Sequence, residues 1–291
     1  MFNGSQIRSL AFFAVAAIVW AHSAQAGEQS KFTHQPARQG QVIIQDLCAS
    51  TDLSVTYKQA NQVISSADNR MVTRQRRRIT VLTATPGQAA KVQIKYESAS
   101  MSMARGESQA QQVDQPVQGK TYIVSRQLGG PLVVTDAQGQ IPPAAELAIV
   151  STNMAAVGQS NPLALFLNGR VITLGQKLQL PKHLAKDLLN SGQEIQDVSE
   201  VSLVMNGTRE INGSECGVFV ARITTVSPAD GKTPMVMPGR LAIELDTCRT
   251  LSSDFSAPLA FVEERGPEGG RFKVINRGEL QVTMRAQYAK L

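Results

Sequence analysis

Apolar and polar residues alternate with a period of two along much of the chain after residue 41. The clearest case is residues 280–288, in which every second residue is apolar, beginning with Leu280. This alternation is typical of a β-strand with one face buried and the other in water. We therefore expect one mainly β domain over residues 41–291.

Turn-forming residues between the apolar segments predict a series of hairpins. Residues 65–70 and 85–88 have turn composition, and two Asn-Gly pairs begin at Asn206 and Asn212. Residues 99–118, rich in Gln and Ser, predict a long mobile loop. The predicted strands are residues 53–64, 71–83, 91–98, 120–126, 132–135, 201–205, 217–226, 240–246, 259–264 and 271–288. A β-bulge is expected where 276–278 interrupts the last strand.

Helical patterns are confined to the middle of the chain. Asn161-Pro162 precedes a short helical stretch at 163–167, and residues 181–191 place Leu184 and Leu188 on one apolar face. The predicted fold class is β-rich α+β: a curved antiparallel sheet or half-barrel of hairpins with one or two short helices. The halves 41–146 and 147–291 show similar strand and loop order, which indicates either a duplication or chance similarity.

The hairpin around residue 232 allows a register in which apolar faces coincide, with Phe219 opposite Leu245 and Ile223 opposite Leu241. The same register places Cys216 opposite Cys248, which makes this pair the candidate disulfide. The alternative is two reduced thiols near strand ends.

The first residues predict export. An apolar run at 10–21 is followed by Ala24-Gln25-Ala26, a pattern typical of a secretory signal peptide cleaved after residue 26. The run is too short for a spanning helix, so no transmembrane segment is expected in the mature chain. We expect a periplasmic or secreted protein whose residues 27–40 form a disordered lead-in.

Composition excludes some classes and leaves others open. A net charge of +6 permits attraction to anionic surfaces such as lipid or acidic glycan. Aromatic residues make up 5% of the chain, and no basic tract is interleaved with them, so single-stranded nucleic acid is not an expected partner.

No catalytic motif occurs in the sequence. After removal of residues 1–26 the chain has two histidines, His34 and His183, and neither belongs to a recognisable nucleophile, metal or phosphate motif. The three cysteines are not clustered as zinc ligands would be. We expect no catalytic residue, no metal site and no cofactor.

A run of arginines on the second predicted strand is the unusual charge feature. Arg74, Arg76 and Arg78 share one strand face and could bind phosphates or carboxylates, which makes them the candidate anion site. The alternative is a solvated sheet face with no ligand.

Four segments carry a resemblance to a known group. They are GKTYIV (119–124), LNGRVITLGQKLQLPKHLAKDLL (167–189), GVFVARITTV (217–226) and GRLAIELDTCR (239–249). They resemble a group of uncharacterised exported bacterial proteins, in which Trp stands at the position of Leu178 and Gly at that of Cys248. The resemblance implies a structural kinship and no activity. The expected architecture is also similar to the half-barrels of periplasmic lipid carriers.

These observations favour a non-catalytic exported protein whose curved sheet binds a lipid-like or other hydrophobic ligand. The alternative is a surface adhesion or interaction module that binds anionic partners through the arginine face. A hydrolase built on His183 is the third hypothesis.

Overall fold

The computed structural model describes residues 28–59, 62–106, 108–127, 129–189, 198–226, 234–266 and 272–289. The predicted signal peptide at 1–26 lies outside the described residues. The described strands are β1 (Gln29–Lys31), β2 (Val42–Gln59), β3 (Gln62–Thr85), β4 (Gln88–Arg105), β5 (Gln111–Asp114), β6 (Thr121–Arg126), β7 (Leu132–Asp136), β8 (Val171–Thr173), β9 (Lys177–Gln179), β10 (Val198–Ile211), β11 (Ser214–Val226), β12 (Pro234–Glu244), β13 (Thr250–Arg265) and β14 (Phe272–Tyr288). The described helices are α1 (Ala144–Asn153), α2 (Pro162–Leu167) and α3 (Lys182–Leu189). None of them is long and apolar enough to cross a bilayer.

Twelve strands form one antiparallel sheet in the order β7-β6-β4-β3-β2-β14-β13-β12-β11-β10-β9, with β5 beside β4. β1 and β8 pair separately. The large sheet is curved and does not close into a barrel, which confirms the predicted fold class. The described part contains three helices, where one or two were predicted.

The first and last long strands join the two parts of the sheet. β2 and β14 pair without interruption from Ile43 opposite Tyr288 to Lys58 opposite Lys273. We call this β2–β14 pair the seam, because every strand of one part lies on the β2 side and every strand of the other lies on the β14 side. The two halves suggested by the sequence thus share one sheet, and their duplication stays a prediction.

Cross-strand partners in an antiparallel sheet point to the same face, so the register identifies which side chains share a face. One such row crosses the sheet through Gln75, Leu47, Met284, Ser253, Leu241 and Phe219. We call the face that carries this row the inner face. The helices pack on it, because Val150 of α1 and Leu163 of α2 lie in clusters formed by inner-face residues.

The inner face carries two separate hydrophobic cores. The first lies under α1 and includes Ile79, Ile94 and Tyr122 from β3, β4 and β6. The second lies under α2 and α3 and includes Leu203 and Phe219 from β10 and β11. The long strands of the seam run between these two cores.

Two segments predicted as irregular are strands. Residues 65–70 belong to β3, and the predicted loop at 99–118 holds the end of β4 and all of β5. The predictions were wrong because both segments are polar, whereas a ladder needs only backbone partners. β2 pairs with β3 through the whole polar segment, and β4 joins on the other side from Asn69, which lies opposite Arg105.

The predicted hairpin register was also wrong. Phe219 lies opposite Leu241, four residues from the expected partner, and Cys216 lies opposite Glu244. Because the register differs by an even number of residues, the same side chains share a face, so the predicted burial pattern is still correct.

Cys216 and Cys248 are free thiols, and the predicted disulfide between them is wrong. Cys248 packs in the core under α2 and α3, whereas Cys216 packs with Ala242 and Leu251 in a smaller cluster.

The described part of the predicted disordered lead-in is ordered, so that prediction was wrong as well. β1 pairs with β8, and Phe32 is completely buried.

The predicted turn at Asn212-Gly213 is confirmed, with left-handed φ values of 53° and 77° that suit the two-residue hairpin loop. Asn206-Gly207 instead forms an irregularity within β10.

Candidate functional site

A cavity lies on the inner face between the two cores. Its volume is about 460 Å³, within the usual range for small-molecule sites of roughly 300–1,000 Å³. Val92 and Val157 line it from the side of α1, and Leu163 and Leu188 line it from the side of α2 and α3. The cavity is therefore a gap between two packed cores, open to solvent, with walls from both.

The seam continues this apolar surface beyond the cavity. Leu47, Leu53, Leu280, Val282 and Met284 share the inner face by register, and each is only partly buried. They belong to neither of the two cores. A row of half-buried apolar side chains therefore runs along the middle of the sheet.

Arg77 is the unusual residue of the cavity wall. It lies on the inner face of β3 between Gln45 of β2 and Tyr96 of β4, and its exposed fraction is 7%. Its Nε donates to Gln45 Oε1 at 3.2 Å, and the neutral Tyr96 side chain lies opposite it on β4. Its Nη1 has no hydrogen-bond partner. Arg77 forms no ion pair with any residue that the structure describes.

A polar network connects this wall to helix α1. Asn153, the last residue of α1, donates from Nδ2 to Tyr96 Oη and to Gln75 Oε1, each at 2.9 Å. Gln75 in turn donates to Gln115 Oε1 at 2.7 Å. The network holds the end of α1 at the cavity by neutral groups, so it supplies no negative charge to Arg77.

The remaining charges of the described cavity wall leave a positive balance. Arg249 is satisfied by Gln41, when the amide oxygen of that side chain faces the guanidinium at 2.8 Å, and by the Tyr288 ring at 4.8 Å. Asp187, which is exposed on α3, is the acidic residue among the described lining. The wall thus carries two guanidinium groups and one carboxylate.

The candidate anion site lies on the opposite, outer face of β3. Arg74, Arg76 and Arg78 are exposed there, as the strand period predicts. Arg76 binds Asp46 and Glu97, each at 3.2 Å, and Arg78 binds Glu97 at 2.9 Å. An irregularity in the pairing between β3 and β4 lies next to Glu97, and local kinks of this kind re-aim side chains. Two of the three arginines are therefore paired with carboxylates, and anion binding by this face stays a prediction.

Sequence reasoning missed Arg77 although a signal was present. The arginine run was interpreted through its even-numbered members, which share a face. Arg77 has the opposite parity and is in phase with Ile79 and Val81, two buried apolar residues. An arginine in phase with a buried apolar row is the pattern that could have identified it.

The other residues considered from the sequence either lie away from the cavity wall or are unreactive. His183 is exposed on α3. Burial raises the pKa of the Cys248 thiol, which lines the cavity, to about 11, so it is protonated at neutral pH. Within the described residues, no group of three or more His, Cys, Asp or Glu side chains could hold a metal ion.

Glu146 anchors the first turn of α1 to the sheet. Its carboxylate accepts hydrogen bonds from Lys120 Nζ at 2.7 Å and from Tyr122 Oη at 2.6 Å. The hydrogen bond from Lys120, and to a smaller extent that from Tyr122, lowers the pKa of Glu146. A depressed folded-state pKa means that ionisation of Glu146 stabilises the fold above the unfolded value, about 4.3, and that this contribution is lost as pH falls through the folded value.

The variant Glu146→Gln should lower the free energy of unfolding at pH 7 by about 1 kcal/mol, a small effect because Lys120 is half exposed. As the pH is lowered through the depressed pKa of Glu146, the difference from the wild type should shrink, because the wild-type carboxyl becomes protonated and then resembles the amide. Urea unfolding at pH 7 and over a series of decreasing acidic pH values measures both quantities. A difference that does not change with pH would show that the ion pair contributes nothing.

Comparisons with known proteins identify similar solved structures but no protein family. No protein-family model and no curated protein sequence matches the chain. Among solved structures, the chain is similar to one that describes lipid–protein interactions in lipovitellin, with 9% identity and a TM-score of 0.42. The match covers 87% of this chain and 26% of the lipovitellin chain, so the chain spans about a quarter of that protein's length.

Two further structures match over most of both chains. A DUF1329 family protein from Desulfovibrio piger shows 10% identity and a TM-score of 0.15, with 82% of this chain and 83% of that chain covered. A LolA superfamily protein from Nitrosomonas europaea shows 9% identity and a TM-score of 0.13, with 86% and 87% covered. Scores this low support no functional transfer, so function has to follow from the residues of this chain.

Proposed function

We propose that the protein is a non-catalytic, exported binding protein that holds a lipid-like ligand on the inner face of its sheet. The observation that carries the proposal is the cavity of about 460 Å³ between the two cores. Each core is closed by its own helix or helices, yet the surface between them is left open. A fold that needed only stability would gain by bringing the two cores into contact.

The shape of the apolar surface favours an elongated ligand. The cavity lies on the inner face and includes Ile43 and Ile79, whereas the half-buried row from Leu47 to Leu280 lies farther along the seam. A chain molecule entering the cavity could extend along this row and cover it. Burial of apolar surface contributes roughly 25 cal/mol for each Å², so the row offers a binding free energy that a small polar ligand could not use.

Methionines on and beside this half-buried apolar row suit a ligand of variable shape. Met71 and Met103 lie opposite each other on β3 and β4, and Met284 lies on the seam. Met71 and Met103 are exposed hydrophobic residues. Unbranched methionine side chains adapt to different apolar partners, as at other surfaces that bind several ligands.

Native mass spectrometry of the exported protein, followed by organic extraction, is the direct test. We expect a species heavier than the polypeptide, whose excess mass disappears on extraction and is recovered as an apolar compound. The purified, extracted protein should then bind the neutral dye Nile red with an increase in fluorescence. A protein that carries no excess mass and does not bind the dye would contradict the proposal.

A matched pair of tryptophan variants locates the site. Ala156 is exposed at the surface yet lines the cavity, so Ala156→Trp should narrow it and reduce dye binding several-fold. Ala145 is exposed on α1 and does not line the cavity, so Ala145→Trp should leave binding unchanged. Equal binding by both variants would place the dye elsewhere.

A further inference from the structure

The wall of the cavity contains a cation whose hydrogen bonding is incomplete. Arg77 is 7% exposed, and its Nη1 has no partner although Nε donates to Gln45. A buried donor without an acceptor is costly, and more so on a charged group, so such groups in native proteins require an explanation. An acceptor supplied by a ligand is one such explanation.

The groups around Arg77 indicate that this acceptor carries a negative charge. Its hydrogen-bond acceptor Gln45 and its cross-strand neighbour Tyr96 are neutral, and so are the Asn153 and Gln75 side chains behind Tyr96. Burial lowers the pKa of Arg77 because it disfavours the charged form, and Tyr96 opposes this shift. An arginine still remains charged at neutral pH. A buried guanidinium without a carboxylate is best satisfied by an anion with two oxygens, which matches its planar fork.

The arrangement of polar and apolar groups defines the rest of the ligand. Ile79 and Val81 follow Arg77 on the inner face of β3, and Val92 faces Val81 from β4, so apolar side chains adjoin the guanidinium within the cavity wall. Arg249, the other guanidinium of the described wall, is already paired with Gln41 and stacked on Tyr288. A single unsatisfied cation in an apolar cavity fits an amphiphile with one anionic end.

Resting on the binding function proposed above, we propose that Arg77 binds the anionic head group of the ligand, an acid such as a carboxylate or phosphate at one end of an apolar chain. The apolar chain then extends from Arg77 along the cavity and the seam. Arg77 thereby determines both the class of ligand and the direction in which it lies.

The test compares two ligands that differ only at one end. A long-chain saturated fatty acid and the fatty alcohol of the same chain length are used to displace Nile red from the extracted wild-type protein at pH 8, where the acid is ionised. The acid should bind roughly ten- to a hundredfold more tightly than the alcohol, the range expected for a hydrogen-bonded charge in a buried site. Equal affinities would overturn the assignment of Arg77 whatever any variant does.

Adjacent arginines on the same strand provide the variant and its control. Arg77→Gln should lose the preference for the acid while binding the alcohol as before. Arg76→Gln changes the neighbouring residue on the outer face and should keep the wild-type preference. If Arg77→Gln does not fold, Arg77→Lys keeps the charge without the fork and should show a reduced preference; a preference fully retained in any folded Arg77 variant would contradict the proposal.

Two further outcomes separate this inference from the function on which it rests. Acetate or inorganic phosphate alone should not displace the dye, and displacement by either would assign Arg77 to a free anion and overturn the head-group assignment. A wild-type protein that binds neither dye nor fatty acid nor alcohol would remove the binding function itself. Binding of acid and alcohol with equal affinity would leave that function intact and remove only the role of Arg77.

Discussion

Replacement of Phe32 by alanine should lower the free energy of unfolding by about 3–5 kcal/mol, the usual cost of truncating a fully buried phenylalanine. Phe32 has no exposed surface and packs against Phe219, with ring centroids 5.6 Å apart. Gly217 makes room for the ring, since a Cβ at that position would lie 2.6 Å from Phe32 Cζ. Gly217 lies beside the ring and carries no side chain that could move into the space left by the substitution.

The backbone around Phe32 shows why the loss should spread beyond one side chain. Phe32 N–H donates to Arg170 O at 2.9 Å, and Gly169 N–H donates to Phe32 O at 2.8 Å. Thr33 N–H donates to Leu245 O at 2.8 Å. The segment therefore joins the loop after α2 to the end of β12, and loosening it should weaken the core under α2 and α3.

Urea unfolding followed by circular dichroism measures the effect, with Lys31→Ala as the control. Lys31, the last residue of β1, directly precedes Phe32 and is exposed, so its truncation should change the free energy of unfolding by no more than about 0.5 kcal/mol. A Phe32→Ala variant as stable as the wild type would mean that residues 28–40 contribute no stability. That result would restore the disordered lead-in predicted from composition.

The sequence predicted the faces of the sheet better than the ends of its strands. Alternation from Leu280 to Tyr288 identified β14, and the parity of Phe219, Ala221 and Ile223 was correct even though the partner strand was misplaced. Period-two burial depends only on which residues share a face, so an even error in register leaves it unchanged. Strand ends and partners depend on the neighbouring strands, which a single strand's pattern does not contain.

Polar segments and the termini of the fold were predicted less well for a related reason. Residues 62–70 are mostly exposed, and β3 persists there because β2 provides its backbone partners. Phe32 is one apolar residue in a polar stretch, and its burial depends on a groove formed by residues more than a hundred positions later. Neither feature has a local signal in composition or periodicity.

The sequence predicted the kind of ligand, a hydrophobic one, but not the residues that form the candidate site. A curved sheet with a helix on one face predicts a hydrophobic ligand, but Arg77 lies on the face opposite to Arg74, Arg76 and Arg78, the arginines predicted to bind anions. The cavity arises where two cores fail to meet, which is a property of tertiary packing. Alternation could have placed Arg77 among buried residues, but the missing partner of its Nη1 is visible only in three dimensions.

The second large effect is expected at Gly278, in the middle of the seam. Gly278 pairs with Leu53 of β2 and Leu259 of β13, and its strand runs through this position without the bulge that the sequence predicted. A Cβ at this position would lie 1.8 Å from Asp52 O and 2.8 Å from Asp52 C. Glycine is therefore required here because the backbone of β2 approaches closely, and not because of an unusual φ.

Gly278→Ala should lower the free energy of unfolding by about 3 kcal/mol or more, at the upper end of the cost of overpacking. The atoms in the way belong to backbone, so no side-chain rotation can relieve the contact, and the seam has to separate locally. Gly130→Ala is the matched control: its Cβ would meet Gln127 O at 3.4 Å, close to an ordinary contact, and its effect should stay within about 0.5 kcal/mol.

The position of Gly278 also predicts how the variant unfolds. The seam is the junction through which the two parts of the sheet are paired, and each part has its own core. Weakening the junction should therefore uncouple the two cores, so that urea unfolding becomes broader, with a lower m-value than that of the wild type. The cavity spans the same junction, and Nile red binding should be lost at a lower urea concentration than the circular dichroism signal. A sharp transition at the wild-type midpoint would show that β2 and β14 can accommodate the methyl group, and the close approach at Gly278 would then have no energetic consequence.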